Sequence, residues 1–229
     1  MNNLTYTHHI IPYFNYTDLE FLKNSEINAV CQVISDNDYH FLKLLESIKE
    51  KPQELWNNYI TWSFLKEGES HRNMWFRCKR EIDNIDDPAF YSIKIQHTRL
   101  GTNNIYQRNA WNQLNSFPKI IEWSNYFNKF NTIFRQSTAK ELLQNLKLSE
   151  SMNVLISIYL VNPTNTISFD ELTYIFKYVK IMQLDCIIKI NKSLWRESVI
   201  EKYFQQADYS FVEHEYFPHY ELFISNYEQ

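Results

Sequence analysis

The feature that most constrains this fold is a pair of apolar runs near the C-terminus, separated by a helical pattern. Residues 154–161 and 186–190 are almost entirely apolar, as expected of strands that are covered on both faces. Between them, Ser168 and Glu171 have the spacing of a capping box, and apolar residues then recur at helical intervals. A second helical pattern follows the second run. The order strand, helix, strand, helix predicts a parallel pair of strands joined by a right-handed crossover.

The rest of the chain predicts a helical region, a hairpin and further helices. Residues 1–70 are interpreted as helical, because apolar side chains recur at intervals of three and four within residues 41–60. The period changes to two within residues 71–100, which predicts a β-hairpin. Residues 105–148 return to a helical pattern. Residues 150–229 contain the βαβ unit, followed by two more strands near the C-terminus.

These segments together predict a single compact domain over residues 1–229, of the α+β or α/β class. A helical N-terminal third is followed by a mixed sheet whose C-terminal part has the order β-α-β-α-β-β. No repeat, and no linker rich in Pro, Gly or Ser, separates parts of the chain. With 44% apolar and 17% aromatic residues, a chain of 229 residues can bury a substantial core.

The two glycines, Gly68 and Gly101, restrict the kinds of nucleotide site that the chain can form. Phosphate-binding loops use glycine because backbone amides must approach the ligand without a Cβ in the way. Neither the dinucleotide fingerprint nor a P-loop can therefore be written in this sequence. The sharp turn of a nucleophile elbow also lacks its glycines. We expect no cofactor.

The cysteines and the hydropathy pattern bear on the compartment. Cys31, Cys78 and Cys186 are widely separated and odd in number, which fits neither a disulfide framework nor a paired set of metal ligands. A reducing compartment follows from this pattern. No apolar stretch approaches the roughly 20 residues that span a bilayer, and the N-terminus lacks the pattern of a signal peptide. We predict a cytoplasmic protein with no metal site and no membrane partner.

A cationic stretch in the predicted hairpin is one candidate binding site. Arginine forks bind phosphate and aromatic faces stack on bases, so a nucleotide or a single strand could bind there. Acidic side chains within residues 81–87 interrupt the stretch, and this mixture is also typical of a solvated face with local ion pairs. The residues that would bind an anion are Arg72, Arg77, Lys79, Arg80 and Arg99.

A second candidate is the acidic, tyrosine-rich segment 203–229, which contains no Lys or Arg. Such a surface is suited to steering a basic partner and to supplying rigid contact area, although an ordinary acidic face has the same composition. His214 and His219 lie among its carboxylates and could bind a metal or exchange protons, but a polar hairpin face is the simpler interpretation. The residues predicted to bind the partner are Asp208, Glu213, Glu215, Tyr216, Tyr220 and Glu221.

Two functions remain open at this level. The first is a macromolecule-binding protein of the immunity or antitoxin kind, which engages a basic protein partner, in preference to nucleic acid, through the acidic segment. The second is a hydrolase or transferase that acts on a phosphate-containing substrate. The βαβ core favours the second function, because ligands of open α/β sheets gather at the carboxyl ends of the strands, here residues 162–164 and 191–193. Because no catalytic motif is found, the first function is the one that we predict and the second is its alternative; the sequence does not decide whether the protein is an enzyme.

Overall fold

The chain divides into two compact units, one of which is inserted once in the sequence of the other. The computed structural model describes residues 5–14, 18–23, 27–98, 106, 114–146, 152–161, 167–191, 209–212 and 219–224. The first unit, here called the sheet unit, comprises Met1–Asn37 and Phe130–Gln229. The second, the helical unit, comprises Asp38–Lys129. The helical unit is therefore an insertion in the sequence of the sheet unit.

Seven strands and eight helices lie in the described residues. The strands are β1 Thr5–Ile11, β2 Asn28–Asp36, β3 Ile133–Gln136, β4 Val154–Leu160, β5 Asp185–Asn191, β6 Tyr209–Val212 and β7 His219–Ile224. The helices are α1 Leu19–Lys23, α2 Tyr39–Glu50, α3 Pro52–Ser63, α4 His71–Glu81, α5 Pro88–Gln96, α6 Phe117–Lys129, α7 Ala139–Asn145 and α8 Phe169–Ile181.

The strands of the sheet unit form one mixed sheet in the order β3-β2-β1-β4-β5-β7-β6. The strands from β3 to β5 are parallel, and β7 is antiparallel to both of its neighbours. The order reverses at β1, since the chain builds β2 and β3 on one side of it and β4 and β5 on the other. The predicted mixed α and β fold is confirmed, as are the parallel β4-α8-β5 unit and the two C-terminal strands. The helix predicted after residue 192 lies outside the described residues.

The two faces of this sheet differ in chemistry. On one, here called the helix-covered face, alternate residues of β4 and β5 are buried apolar side chains, most of them isoleucines, that belong to one apolar core with α7 and α8. The other, here called the polar face, carries His9, Ser157, Asp185 and Lys189, all of them buried. Successive side chains of a strand point to opposite faces, so one residue of shift would exchange the two sets.

The helical unit comprises α2 to α6, and α5 is its central element. Helix α5 contacts α2, α3 and α4, and nearly all of its side chains are buried. Asp87 caps its first turn by accepting a hydrogen bond from the Ala89 amide, and Pro88 fits the position at which no amide donor is needed. Ser70 caps α4 in the same way, through the amide of Asn73.

The hairpin predicted for residues 71–100 is therefore wrong, since the segment folds as α4 and α5. The alternation in α5 is not a pattern of burial, because Ser92 and Gln96 are as buried as their apolar neighbours. In α4 the buried residues Met74 and Cys78 are four apart, while Phe76 between them is exposed. That spacing belongs to a helix, and the two capping residues were the signals that favoured it.

The prediction of a helical N-terminal third is only partly correct. Helices α2 and α3 lie within it, but β1 and β2 also do. Strand β1 gave no alternating pattern because it combines the buried polar residue His9 with the buried apolar residues Ile10 and Ile11. Of the helices predicted for residues 105–148, α6 and α7 are present in the described part, and the short strand β3 lies between them.

Candidate functional site

The reversal of strand order at β1 marks the first region of interest. When the chain adds successive parallel strands first on one side of a central strand and then on the other, the connections from the two neighbouring strands run to opposite faces of the sheet. They leave a crevice outside the carboxyl ends of those two strands. Strand β1 ends at Ile11 and β4 at Leu160, so these two ends define that position. Beside them, β2 ends at Asp36.

Aromatic side chains occupy the position next to the ends of β1 and β4. Phe14, three residues beyond β1, and Tyr159, in β4, are both fully buried. Their rings meet edge to face, with centroids 6.4 Å apart and planes at 73°. The two rings therefore belong to the buried packing beside these strand ends. Neither of the two glycines in the sequence lies in this part of the chain.

The end of β2 is held in place by its neighbour β3. The hydroxyl of Ser35 donates to the backbone carbonyl of Ser137 at 2.8 Å, and the Ser137 amide donates to the carbonyl of Asp36 at 3.2 Å. These bonds fix the backbone from which the half-buried Asp36 side chain leaves. A carboxylate is thereby positioned at the carboxyl edge of the second strand.

A charged cluster lies on the polar face, near the carboxyl end of β5. Lys189 of β5 and Glu221 of β7 are directly opposite in the antiparallel register, and His219 lies two residues before Glu221 on the same face. The Lys189 ammonium is 2.7 Å from Oε1 of Glu221, and Nε2 of His219 is 3.1 Å from the same oxygen. Because a carboxylate only accepts, Nε2 of His219 carries a proton.

Burial and hydrogen bonding set the electrostatics of this cluster. The hydrogen bond from His219, assisted by the Lys189 ammonium, lowers the pKa of Glu221 to about 2, against the opposing effect of desolvation. The side chains of Lys189 and His219 are 8% and 2% exposed, whereas that of Glu221 is 34% exposed. The His219 ring also packs edge to face on Phe21 of α1, at 5.2 Å. Solvent therefore reaches the cluster at the carboxylate of Glu221, directly beside the nearly buried ammonium of Lys189.

A second buried network crosses the polar face at β1. Gln32 donates from Nε2 to Nδ1 of His9 at 3.0 Å, and its Oε1 accepts from Thr132 at 3.1 Å. With Nδ1 accepting, Nε2 of His9 carries the proton and donates to the hydroxyl of Ser157 at 2.8 Å. Burial lowers the pKa of His9 to about 3. In this arrangement the imidazole is a donor to the serine, so it does not act as the base that a serine nucleophile needs.

The predicted partner-binding residues fall partly outside the described chain. Asp208, Glu213, Glu215 and Tyr216 lie there, as does His214. The two remaining residues, Tyr220 and Glu221, point to opposite faces of β7, since successive side chains of a strand alternate. Tyr220 packs against the core of the helix-covered face, and Glu221 is bound to Lys189 and His219. The described members of this set do not form one common surface.

Four of the five residues predicted to bind an anion lie on α4, and Arg99 lies outside the described residues. The guanidinium of Arg77 binds Glu69 at 3.0 Å and donates to the carbonyls of Trp62 and Phe64, so it joins α4 to the end of α3. Accordingly, the hydrogen bonds with Arg77 lower the pKa of Glu69 to about 2. The remaining three cations on α4 are Arg72, Lys79 and Arg80, of which the first lies over Phe76 and the second over Trp75.

Within the described ranges, no three His, Cys, Asp or Glu side chains are placed to hold one metal ion. No helix in that part of the chain has both the length and the apolar character needed to cross a membrane.

Two residues of these sites, Lys189 and Asp36, were not identified from the sequence. Lys189 interrupts an otherwise apolar run, and a charged residue within a buried strand is a signal that could have marked it. Asp36 follows the apolar stretch of β2, but recognising it required the prediction of that strand. No protein-family model matches this sequence, and no curated protein shows significant similarity to it.

Proposed function

We propose that the sheet unit binds a small ligand with vicinal hydroxyl groups, such as a nucleoside, at the carboxyl edge of its parallel strands. The observation that supports this proposal is the reversal of strand order between β1 and β4. In open α/β sheets, ligands bind in the crevice outside the carboxyl ends at such a reversal. The proposal takes up the enzyme alternative from the sequence, a hydrolase or transferase, and changes the group by which its substrate is held.

Asp36 is the residue that we assign to the hydroxyl groups. In sheets of this kind, an acidic residue at the end of the second strand accepts hydrogen bonds from ribose hydroxyls. Asp36 occupies that position, and the bonds from Ser35 and Ser137 fix its backbone. A hydrogen bond to a charged group contributes about 1.5 to 3 kcal/mol.

The ligand proposed here is not held by a phosphate cradle. The two glycines of the chain, Gly68 and Gly101, do not follow any of the parallel strands, so no glycine-rich loop is available to cradle a phosphate at their carboxyl ends. The rings of Phe14 and Tyr159 are both fully buried, so the proposed ligand is held through its hydroxyl groups at Asp36 and not by stacking on these two side chains.

A basic protein partner remains the second proposal, and the described residues favour it less. Four of its six acidic and aromatic residues lie outside the described chain, and Glu221 is occupied by Lys189 and His219. Tyr220 faces the opposite side of the strand. Binding through this segment would therefore depend mainly on Asp208, Glu213, Glu215 and Tyr216.

The proposal is tested by titrating the full-length protein, labelled with nitrogen-15, with adenosine, guanosine, cytidine and uridine. We expect at least one ribonucleoside to shift the amide resonances at the ends of β1, β2 and β4 in a saturable manner. Its 2′-deoxy form should bind about 10-fold more weakly, because about 1.4 kcal/mol of hydrogen bonding is lost. Asp36→Asn should remove most of this preference.

Asp170→Asn is the matched control, since Asp170 is an exposed aspartate at the start of α8. This variant should bind the nucleoside as the wild type does. Saturable binding that is unaffected by Asp36→Asn would show that another residue holds the hydroxyl groups. If none of the four ribonucleosides causes saturable shifts, the proposed function is wrong.

A further inference from the structure

The charged cluster of Lys189, Glu221 and His219 is not explained by the proposed nucleoside site. Adjacent strands lie about 4.8 Å apart, and both β1 and β4 separate β2 from β5. The strands that carry Asp36 and Lys189 are therefore about 14 Å apart. A nucleoside held at Asp36 does not reach the cluster, so any ligand of the cluster occupies a second position on the sheet.

Stability alone is also a poor explanation for an ion pair at this place. The neighbouring cross-strand pair of the same two strands is Ile188 and Leu222, both buried. Replacing a buried ion pair with well-packed apolar residues is often neutral or stabilising, because the attraction between the two charges offsets only part of the hydration that they lose on burial. An apolar pair would therefore have joined β5 to β7 equally well.

The hydrogen-bonding capacity of the pair is only partly used. An ammonium group has three donors, and in the described part of the chain Glu221 is the one acceptor that Lys189 contacts. Oε1 of Glu221 binds both Lys189 and His219, while Oε2 has no partner among the described residues. The pair thus has free donors on a buried ammonium beside a free acceptor on a carboxylate that reaches solvent.

The charges of the pair select the kind of group that fits. Lys189 and Glu221 carry opposite charges, so a ligand that is an anion or a cation is attracted by one and repelled by the other. A neutral group with an oxygen acceptor next to an N–H donor satisfies both. We propose that Lys189 and Glu221 bind an amide group of a ligand, in which Lys189 donates to the oxygen and Glu221 accepts from the N–H.

The test compares three small probes of similar size on the full-length protein: acetamide, acetate and methylammonium. Acetamide offers both a donor and an acceptor, whereas each of the other two offers one only. We expect acetamide to shift the amide resonances of residues 189 and 221 in a saturable manner, with at least fivefold weaker effects from the other probes. Saturable binding of acetate or methylammonium that equals or exceeds that of acetamide would overturn the proposal.

Two variants localise the effect. Lys189→Met keeps the length of the side chain, removes its donors and leaves Glu221 bound to His219; it should abolish the saturable acetamide shifts. Lys177→Met, an exposed lysine on α8, is the matched control and should leave them unchanged. If Lys189→Met fails to unfold cooperatively, Glu221→Gln provides the second measurement, with an expected loss of at least fivefold in acetamide affinity. Unchanged acetamide binding in the folded variant would also overturn the proposal. None of these outcomes depends on Asp36 or on nucleoside binding.

Discussion

The two faces of the sheet are both largely buried, but one is buried by apolar packing and the other by hydrogen bonds between polar side chains. On the helix-covered face, Ile156, Ile158 and Ile188 belong to one apolar core with residues of α7 and α8, and their burial stabilises the fold through removal of apolar surface from water. On the polar face, Asp185 accepts from the Tyr6 hydroxyl at 2.9 Å, and His9 binds Gln32 and Ser157. A buried polar group must be hydrogen-bonded, and each such bond contributes only about 1 kcal/mol net.

The difference indicates a division of roles between the faces. Apolar packing tolerates exchange among residues of similar volume, so the helix-covered face places few demands on residue identity. The polar face depends on particular donors and acceptors at particular positions, and its network fixes the tautomer of His9. Both proposed sites use polar groups whose positions are set by the strand register. These are Asp36 at the end of β2, and Lys189 and Glu221 opposite each other on β5 and β7.

The largest effect that separates the faces is expected from an aspartate placed in the apolar core. Ile156→Asp or Ile188→Asp buries an unpaired charge among the side chains of α7 and α8, so the free energy of unfolding should fall by about 4 kcal/mol or more. Urea unfolding followed by circular dichroism measures the loss. We expect either variant to be unfolded or close to it.

Ile187→Asp is the matched control, because Ile187 is next to Ile188 on β5 but points to the polar face, and it is only half-buried. Water reaches this side chain, so the loss should be less than half as large. Equal losses at Ile187 and Ile188 would show that the two faces do not differ in the way described.

Prediction from sequence succeeded where one physical signal dominated. Residues 154–161 and 186–190 were recognised as buried strands because both faces of β4 and β5 are covered, and Ser168 caps α8 as expected. Strand β1 was not predicted, because it contains polar residues such as His9, whose burial depends on partners far away in the sequence and which are otherwise typical of loops. Helix α5 failed because burial on nearly all sides removes the helical period.

The candidate sites were harder to predict than the strands that carry them. His219 and Glu221 stood out because titratable groups are close together in the sequence there, but their partner Lys189 comes from another strand. Asp36 is a candidate only because β2 lies next to the strand at which the order reverses, and the order of parallel strands cannot be predicted from one sequence. Arg77 was assigned to anion binding, whereas Glu69 neutralises it; the sequence does not show that α3 ends beside this arginine.

A change of intermediate size is expected from acid, through His9. Burial lowers the pKa of His9 to about 3 from its ordinary value of 6.5, so the unfolded chain takes up this proton at a higher pH than the folded protein does. Stability should therefore fall as the pH decreases from about 6.5 towards 3, at up to about 1.4 kcal/mol per unit. The part due to His9 amounts to about 2 kcal/mol at pH 5 relative to neutral pH.

Urea unfolding at pH 5, 6 and 7.5 (conditions chosen for the assay, about one unit apart) measures this slope. His9→Gln should be less stable at neutral pH but should lose less stability on acidification than the wild type. His8→Gln is the control on the same strand, because His8 is only half-buried, and it should keep the wild-type slope. A wild-type slope in His9→Gln would mean that another group causes the acid sensitivity.

The smallest effect on stability is expected where the polar face carries its full charges. In the double variant Lys189→Met and Glu221→Leu, an apolar pair replaces the ion pair, so neither charge is left buried alone. Its free energy of unfolding should lie within about 1 kcal/mol of the wild type, or above it. The reason is that folding of this variant no longer has to remove two charged groups from water.

The corresponding change on the helix-covered face is Ile188→Ala with Leu222→Ala. It should lower the free energy of unfolding by several kcal/mol, because it leaves a cavity in the apolar core beside β5 and β7. Urea unfolding of both double variants at neutral pH compares the two pairs directly. A loss of more than about 3 kcal/mol in the first double variant would mean that the ion pair is a structural element of the sheet. The polar and the helix-covered faces would then contribute to stability in the same way, and the spare hydrogen-bonding groups of Lys189 and Glu221 would need no ligand to explain them.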